Sequence, residues 1–135
     1  MRACLIVIGM REIINTTDYE EIKKYIEDKE GVRLKLKQYN KNQNNDKKGL
    51  RAHYDNDNPA MPNNKYTASI LKTKKHEGGE LVFLDGNDNE LQVIGKEEHF
   101  NKAVIMSVDQ RHMVKPTLSG ERYVDVYFWE LENES

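Results

Sequence analysis

Basic side chains in the first half of the chain form the pattern with the clearest chemical meaning. In the segment VRLKLKQY, residues 32–39, hydrophobic and basic residues alternate, so the basic side chains share one face of a predicted strand. Cations attract phosphate groups, and exposed aromatic rings stack on bases without requiring one particular sequence. Single-stranded nucleic acid or a nucleotide would fit such a surface, whereas a solvated strand face beside a polar loop is the alternative explanation. The candidate ligand-binding residues are Arg33, Lys35, Lys37, Lys47, Lys48, Arg51, His53 and Tyr54.

The last predicted strand, residues 122–131, carries aromatic side chains on one of its two faces. Tyr and Trp are frequent among the residues that dominate protein interfaces. The alternation therefore predicts a protein interface, unless both faces are covered as in a central strand of a sandwich. The candidate interface residues are Tyr123, Tyr127 and Trp129, opposite Val124, Val126 and Phe128.

Residue types that bind metals or act as nucleophiles are present but form no recognised motif. No two of the four histidines are four residues apart, and Cys4 is the only cysteine, so neither HExxH nor a Cys/His zinc framework occurs. The oxygen-rich residues 85–90 have Glu90 where a calcium loop needs glycine, so we interpret them as a hairpin turn. Glycine-rich phosphate loops and a serine nucleophile elbow are also absent. The sequence thus predicts no catalytic residue, no metal site and no cofactor, although distant histidines could still meet in space.

Composition indicates a single polar domain. A length of 135 residues with 37% hydrophobic residues predicts one domain, residues 1–135, with a modest core. No apolar run reaches the roughly 18 residues that span a bilayer and no signal-peptide pattern is found, so we expect a cytoplasmic protein without a membrane partner. Charge is uneven, because residues 1–75 carry 16 Lys and Arg against 10 Asp and Glu, and residues 76–135 carry 5 against 13. The halves either neutralise each other, within the fold or across a homo-oligomer, or present a basic surface to a phosphate-bearing partner.

The elements that must position these residues are mainly strands. One helix is predicted between Thr17 and Gly31, because Thr17-x-x-Glu20 is a capping-box pattern and Gly31 can end the helix. The turn-rich residues 86–89 predict a hairpin, and residues 96–103 are a candidate short helix. Strands are predicted at residues 3–8, 32–39, 65–75, 80–85, 90–95, 103–108 and 122–131.

Residues 40–65 are predicted to form a long polar loop, with a short extended piece at residues 50–54. Together these elements predict an α+β fold. It consists of a largely antiparallel sheet or small β-barrel of about six or seven strands, with one well-capped helix near the N-terminus.

Three classes of function are consistent with these patterns. The first is a small non-enzymatic binding protein that recognises a partner protein through its surface. The sequence is rich in Asn, Lys, Ile and Tyr, which is typical of AT-rich coding and suits an accessory or phage-borne inhibitor. The second is nucleic-acid or nucleotide binding through the basic strand and loop at residues 33–54. The third is a metal-dependent hydrolase or nuclease whose Asp, Glu and His residues assemble only in the fold. We therefore predict a non-enzymatic protein.

Overall fold

The structure, a computed structural model, describes residues 10–44 and 47–133. The strand predicted at residues 3–8, with Cys4, lies outside the described residues. The helices are α1 (Tyr19–Glu30) and α2 (Lys96–His99), and a 3-10 turn covers Asp55–Asp57. The strands are β1 (Arg11–Ile14), β2 (Leu34–Gln43), β3 (Leu50–His53), β4 (Tyr66–Leu71), β5 (His76–Gly78), β6 (Leu81–Leu84), β7 (Glu90–Ile94), β8 (Ala103–Ser107), β9 (Arg111–Val114), β10 (Thr117–Gly120) and β11 (Val124–Leu131).

Two antiparallel sheets and a short ribbon account for these strands. The large sheet has the order β1-β8-β4-β11-β2, the small sheet has the order β3-β9-β6-β7, and β10 pairs with β5. The strands pair antiparallel throughout these sheets, which confirms the prediction of a largely antiparallel fold. Eleven strands lie in the described part of the chain, more than the six or seven predicted, because strands of three or four residues carry little alternation.

Helix α1 covers the outer face of the large sheet. Its first turn is held by Asp18, whose carboxylate accepts a hydrogen bond from the Glu21 N–H at 2.9 Å. The helix ends at Gly31, whose φ of 67° is the left-handed conformation that glycine adopts without steric cost. Ile22 and Ile26, four residues apart, are fully buried against the sheet, so the polar face of the helix points to solvent.

The alternation of strand β4 separates a hydrophobic face from a polar one. Ala68 and Ile70 pack under α1, while Thr67 and Ser69 point to the opposite face, toward the small sheet. Val104 and Met106 of β8 point the same way and pack with residues of the small sheet. The space between the two sheets therefore contains buried hydroxyl groups, which a folding core alone does not require.

Both faces of β11 are covered, which changes the interpretation of its aromatic residues. Trp129 has no solvent-exposed surface and lies in the core beneath α1, so its assignment to a protein interface is corrected to a core residue. Tyr127 is half-buried and stacks on Tyr39 of β2, with ring centroids 4.6 Å apart. The Tyr123 hydroxyl donates a hydrogen bond to the Glu121 carboxylate. An interface role for Tyr123 and Tyr127 stays a prediction.

The segment at residues 40–65 is more ordered than a polar loop. Its described part contains the end of β2, all of β3 and the 3-10 turn. Strand β3 joins the small sheet by pairing with β9, so this segment contributes to the wall of the space between the sheets. Neither helix in the described residues has the length and apolarity that crossing a membrane requires.

Candidate metal centre

Three potential metal ligands converge where β3 pairs with β9. His53 ends β3 and pairs across the ladder with His112 of β9, and Asp55 follows His53 by two residues. The Nε2 atoms of His53 and His112 lie 3.4 Å and 3.0 Å from Asp55 Oδ1. One donor atom from each residue lies within 4.8 Å of the other two. Because ligand atoms held at right angles about 2.1 Å from an ion lie roughly 3 Å apart, the three atoms are spaced for one shared cation.

The backbone orients both imidazole rings toward that point. The Nδ1 atom of His53 lies 2.7 Å from the carbonyl oxygen of Arg51, and Nδ1 of His112 lies 3.0 Å from that of Gln110. A carbonyl oxygen can only accept, so we assign the ring proton to Nδ1 in each case. Each Nε2 therefore faces the carboxylate and can hold either a proton, which it donates to Asp55, or a metal ion in its place, as in histidine ligands with a second partner on the other nitrogen.

A hydrogen-bond chain fixes the carboxylate of Asp55. The buried Asn64 donates its amide to Thr67 Oγ1 at 3.1 Å, and the Thr67 hydroxyl donates to Asp55 Oδ2 at 2.5 Å. This leaves Oδ1 facing the two histidines. One oxygen is held by the protein and the other is presented to a cation, which is the usual division of roles in a metal-binding carboxylate.

The charge state of the cluster also suits a cation. Burial raises the pKa of the Asp55 carboxyl, but hydrogen bonds from His112 and His53 outweigh it and hold the pKa below its ordinary value. The hydrogen bond to Asp55 raises the pKa of His53 against the opposing effect of burial. Asp55 is therefore ionised at neutral pH, and the site offers one negative charge that attracts a metal ion or a proton on His53.

The three ligands border a cavity between the two sheets, which we call the inner cavity. Among its other walls are Thr67 and Ser69 of β4, Met106 of β8 and Arg122 before β11. Two imidazoles and a carboxylate occupying one side of a cation, with other positions open, form the ligand set of non-haem iron oxygenases. Within the described residues no other group of three such side chains comes together.

Arg122 places a positive charge in the inner cavity. It is 5% exposed, and its Nη1 has no hydrogen-bond partner among the described residues. Burial lowers the pKa of Arg122 to about 10, against the opposing attraction of Glu80, and the guanidinium stays charged at neutral pH. Gly79 makes room for it, because a Cβ at that position would lie 2.6 Å from Arg122 Cδ. A buried guanidinium with an unused N–H is a ready partner for an anionic ligand.

A second space, which we call the outer groove, shares the walls His53, Asp55 and Phe128 with the inner cavity. The groove lies between β2, at the edge of the large sheet, and β3, at the edge of the small one. Its walls include the amide side chains of Gln38, Asn40, Gln43 and Asn58. A substrate reaching the metal ligands from this side would meet these amides, the carboxylate of Asp57 and the apolar side chains of Leu50 and Met61.

The predicted ligand-binding residues separate into two sets. His53 belongs to the metal cluster, and Tyr54 beside it borders the outer groove, with the Arg111 guanidinium 5.3 Å from its ring centre. The cations lie elsewhere on the surface, and none of them borders the inner cavity or the outer groove. Lys35 is half-buried and pairs with Glu130 at 3.9 Å, while the exposed ones are Arg33, Lys37, Lys47, Lys48 and Arg51. Binding of a phosphate-bearing ligand or a partner protein there stays a prediction.

Sequence reasoning missed Asp55, His112, Thr67, Ser69 and Arg122 as site residues. A usable signal was present in His53-x-Asp55, because residues two apart in extended backbone point to the same side. The search for histidines four residues apart could not find it, since that spacing belongs to helices. The sequence analysis left open that distant histidines meet in space, and the pairing of β3 with β9 brings His53 and His112 together.

Comparison with known proteins gives one family. The family model of the 2OG-Fe(II) oxygenase superfamily matches residues 34–129, which include all three ligands and Arg122. None of the curated proteins matches the chain.

Several solved structures are similar to the chain, and two of them are described here. An oxidoreductase of the 2OG-Fe(II) oxygenase family from Burkholderia pseudomallei matches with a TM-score of 0.64 and 18% identity. The match covers 84% of this chain and 51% of that one, so the chain spans about half the length of that structure. A Pseudomonas putida prolyl-4-hydroxylase matches with a TM-score of 0.45 and 12% identity, over 90% of this chain and 72% of that one. The Burkholderia structure shares the jelly-roll-like arrangement of two facing antiparallel sheets.

These findings correct the predicted function. The prediction of a non-enzymatic binding protein, with its accessory or phage-borne inhibitor role, is wrong. The family match and the His53, Asp55 and His112 cluster point to an enzyme instead. The error has a physical origin, since His53 and His112 are separated by 59 positions in sequence and meet only through strand pairing. Nucleic-acid or nucleotide binding through residues 33–54 stays a prediction.

Proposed function

The chain belongs to the 2OG-Fe(II) oxygenase superfamily, and on that premise we propose that it is an oxygenase whose iron is held by His53, Asp55 and His112. The observation that carries the proposal is the convergence of two Nε2 atoms on one oxygen of Asp55, with every other polar atom of the three side chains directed by a separate partner. This donor set fits Fe(II), which binds imidazole and carboxylate ligands and keeps open positions in such sites. When bound, iron would supply the redox chemistry that activates dioxygen, with 2-oxoglutarate as co-substrate.

We further propose that Arg122 binds a carboxylate of 2-oxoglutarate. The support is its burial, its unpartnered Nη1 and its place in the same cavity as the three ligands. An arginine fork matches a carboxylate with two parallel hydrogen bonds, and burial strengthens that attraction. The apolar walls of the cavity, including Leu81, Val114 and Val126, would exclude water from the bound acid.

The outer groove is the proposed route for the substrate to be oxidised. It borders His53 and Asp55 directly, so a substrate there would lie beside the metal ligands. Amide groups donate and accept hydrogen bonds without charge, and the carboxylate of Asp57 adds a negative charge to the groove, so a neutral or basic polar substrate fits better than an anionic one. The substrate and any further domain of the protein remain proposals, since the chain spans about half of the Burkholderia structure.

The test is metal and co-substrate binding by ligand variants. We expect the purified chain to bind Mn(II) or Fe(II) under anaerobic calorimetry and to consume 2-oxoglutarate when Fe(II) and dioxygen are present. Asp55→Asn and His112→Ala should each lower metal affinity by more than about 100-fold, because they remove a direct ligand. Asp28→Asn, an exposed carboxylate on α1 paired with Lys24, is the matched control and should leave both measurements unchanged. Wild-type metal affinity in either ligand variant would refute the assignment.

A further inference from the structure

The outer groove has one charged wall that the metal centre does not use. Its volume is about 350 Å³, within the range of sites that hold small molecules. Four of its walls are amide side chains, and its apolar walls are Leu50, Met61 and Phe128. In the described part of the chain, no lysine or arginine borders the groove, and its two carboxylates are those of Asp55 and Asp57. Because Asp55 is a ligand of the proposed metal, Asp57 is the carboxylate that remains for a substrate.

The backbone holds the Asp57 carboxylate in a defined orientation. Asp57 ends the 3-10 turn that begins at Asp55, so the two carboxylates are two residues apart. The Tyr54 N–H donates to Asp57 Oδ2 at 2.9 Å, and the Asp57 N–H donates to the carbonyl oxygen of Tyr54 at 3.0 Å. The other carboxylate oxygen, Oδ1, makes no hydrogen bond within the described residues. One oxygen is therefore held by the protein, and the other is available to a ligand.

The cation beside this part of the groove is already paired. The guanidinium of Arg111 lies 5.3 Å from the ring centre of Tyr54, but it forms an ion pair with Asp88 in the turn between β6 and β7. Arg111 is not a wall of the groove, whereas the Tyr54 ring is one. The face of an aromatic ring attracts cations, and so does a carboxylate. Tyr54 and Asp57 therefore favour a positively charged group in the groove.

The charge of Asp57 is also left over when the metal and the co-substrate are bound. The positive charges of Fe(II) and Arg122 equal in number the negative charges of Asp55 and the two carboxylates of 2-oxoglutarate. The loaded centre is thus neutral as a whole, and the groove keeps the negative charge of Asp57. Such a charge attracts cations and repels anions that approach the metal ligands from this side.

We propose that the substrate oxidised at this site is an organic cation with an aliphatic stem and a terminal ammonium group, as in a lysine side chain, and that Asp57 is the residue that selects it. The ammonium group binds Asp57 Oδ1, and the stem packs on the apolar walls of the groove. One of these walls, Phe128, also borders the inner cavity, so the methylene groups lie beside the metal ligands. The inference rests on the proposed function and names the substrate class of the same site.

The test is the binding of small probes to protein loaded with Mn(II) and 2-oxoglutarate, without dioxygen and without turnover. N-acetyl-lysine N-methylamide has the ammonium group, N-acetyl-norleucine N-methylamide has the same stem without it, and N-acetyl-glutamate N-methylamide has a carboxylate. Mn(II) broadens the NMR signals of nearby protons, so a titration gives the affinity and shows whether the stem lies beside the metal. Because Asp57 is exposed, its attraction is partly screened, and the lysine probe should bind roughly three- to tenfold more tightly than the norleucine probe at low salt. This preference should shrink in about 1 M salt.

Variants of Asp57 separate its charge from its place in the turn. Asp57→Asn keeps an acceptor for the Tyr54 N–H but removes the charge, so the lysine and norleucine probes should bind with equal affinity. Asp57→Lys should bind the glutamate probe more tightly than the lysine probe. Affinities for Mn(II) and 2-oxoglutarate should stay within about twofold of wild type in both variants. Asp28→Asn removes an exposed charge from α1 and is the matched control, which should keep the wild-type preference.

Free lysine distinguishes the two sources of this ammonium group. Tighter binding of the N-acetyl N-methylamide probe than of free lysine supports a lysine residue of a polypeptide as the substrate. The reverse order supports a free amino acid or amine, and both orders are consistent with the selection by Asp57.

The failures of the two proposals are distinguishable. If wild-type protein binds Mn(II) and 2-oxoglutarate but shows no preference for the lysine probe, only the present inference is overturned. The same holds if the preference persists in Asp57→Asn, or if the stem protons of the bound lysine probe are not broadened by Mn(II). If wild-type protein binds no Mn(II) or no 2-oxoglutarate, the proposed function is refuted and the inference falls with it.

Discussion

The inner cavity and the outer groove share the residues of the metal centre but offer opposite chemistry to a ligand. The inner cavity has a buried guanidinium, buried hydroxyls and apolar walls, whereas the outer groove has exposed or half-buried amides. The groups of the inner cavity are tied to defined partners: Thr67 to Asp55, Ser69 to His99, and Arg122 fitted against Gly79. Such a fixed donor set is suited to one small anion, while neutral amides at an opening tolerate different partners.

This difference separates two kinds of specificity in one site. A buried polar group without a matched ligand is costly, so the inner cavity should discriminate strongly among acids. The amides of the outer groove hydrogen-bond one another, with Gln38 Nε2 donating to Asn40 Oδ1 and Asn40 Nδ2 donating to Gln43 Oε1, each at 2.7 Å. Since these amides are partly solvated, substituting one of them should change the free energy of unfolding only slightly. The variants below test whether the two regions are as independent as their chemistry indicates.

The largest effect is expected from Arg122→Met, which removes the charge of the inner cavity. Loss of a buried cation that binds a carboxylate typically costs at least 2 kcal/mol, and with loss of the bidentate geometry we expect 2-oxoglutarate affinity to fall by more than about 100-fold. Mn(II) affinity should change by less than about threefold, because Arg122 is not a ligand. Arg33→Met, which removes an exposed cation before β2, is the matched control. Calorimetry measures both ligands, and unchanged acid affinity in Arg122→Met would place the co-substrate elsewhere.

The second effect is a pH dependence of stability that comes from His99. Its pKa is about 4 in the folded chain and about 6.5 in an unfolded one. Between these values the unfolded chain binds a proton that the folded chain does not, so the free energy of unfolding falls as pH falls from about 6.5 toward 4. The expected loss from this group is roughly 2 kcal/mol between pH 7 and pH 5.

Denaturant unfolding of wild type and His99→Leu at both pH values measures this contribution. The variant has no group to titrate at this position, so its stability should fall less between pH 7 and pH 5, by the amount assigned to His99. Equal falls in the two proteins would show that His99 is accessible to protons in the folded chain. That result would weaken the description of the inner cavity as the closed part of the site.

The fold was predictable from sequence where its contacts are local. The hairpin of β6 and β7 follows from the turn-rich residues 86–89, and Leu81 indeed pairs with Ile94. Helix α1 lies within the range that the spacing of Ile22 and Ile26 predicts, but its N-cap is Asp18 and not the predicted Thr17. The order of the large sheet was not predictable, because β2 pairs with β11 over more than 80 residues and alternation does not encode the partner of a strand.

The site was less predictable than the fold, and unequally in its two regions. His53 was identified, but as part of a basic surface, because its sequence neighbours are cations. Its real neighbour His112 is placed by the register of β3 on β9, which no local pattern contains. Arg122 and Ser69 have ordinary sequence surroundings and become functional candidates only when burial shows which polar groups lie between the sheets.

The third prediction concerns the hydrogen bond by which Thr67, in the wall of the inner cavity, holds the metal ligand Asp55. Thr67→Val keeps the shape of the side chain but removes the hydroxyl that donates to Asp55 Oδ2. Loss of such a supporting hydrogen bond lowers metal affinity by about tenfold or more, and we expect about tenfold for Mn(II) by calorimetry. Thr67→Ser keeps the hydroxyl and should stay within about threefold of wild type. Equal affinity in Thr67→Val and wild type would mean that Asp55 is held by its backbone alone.

The smallest effect is expected in the outer groove, where Asn40→Ala removes the central member of the amide chain. The side chain of Asn40 hydrogen-bonds Gln38 and Gln43 and makes no hydrogen bond to a metal ligand among the described residues, so 2-oxoglutarate and Mn(II) affinities should stay within about twofold of wild type. The free energy of unfolding should change by no more than about 0.5 kcal/mol, as for most partly exposed positions. Calorimetry with both ligands, run beside Arg122→Met, makes the comparison direct. A tenfold loss of acid affinity in Asn40→Ala would show that β2 shapes the inner cavity, and the two regions would then act as one binding surface.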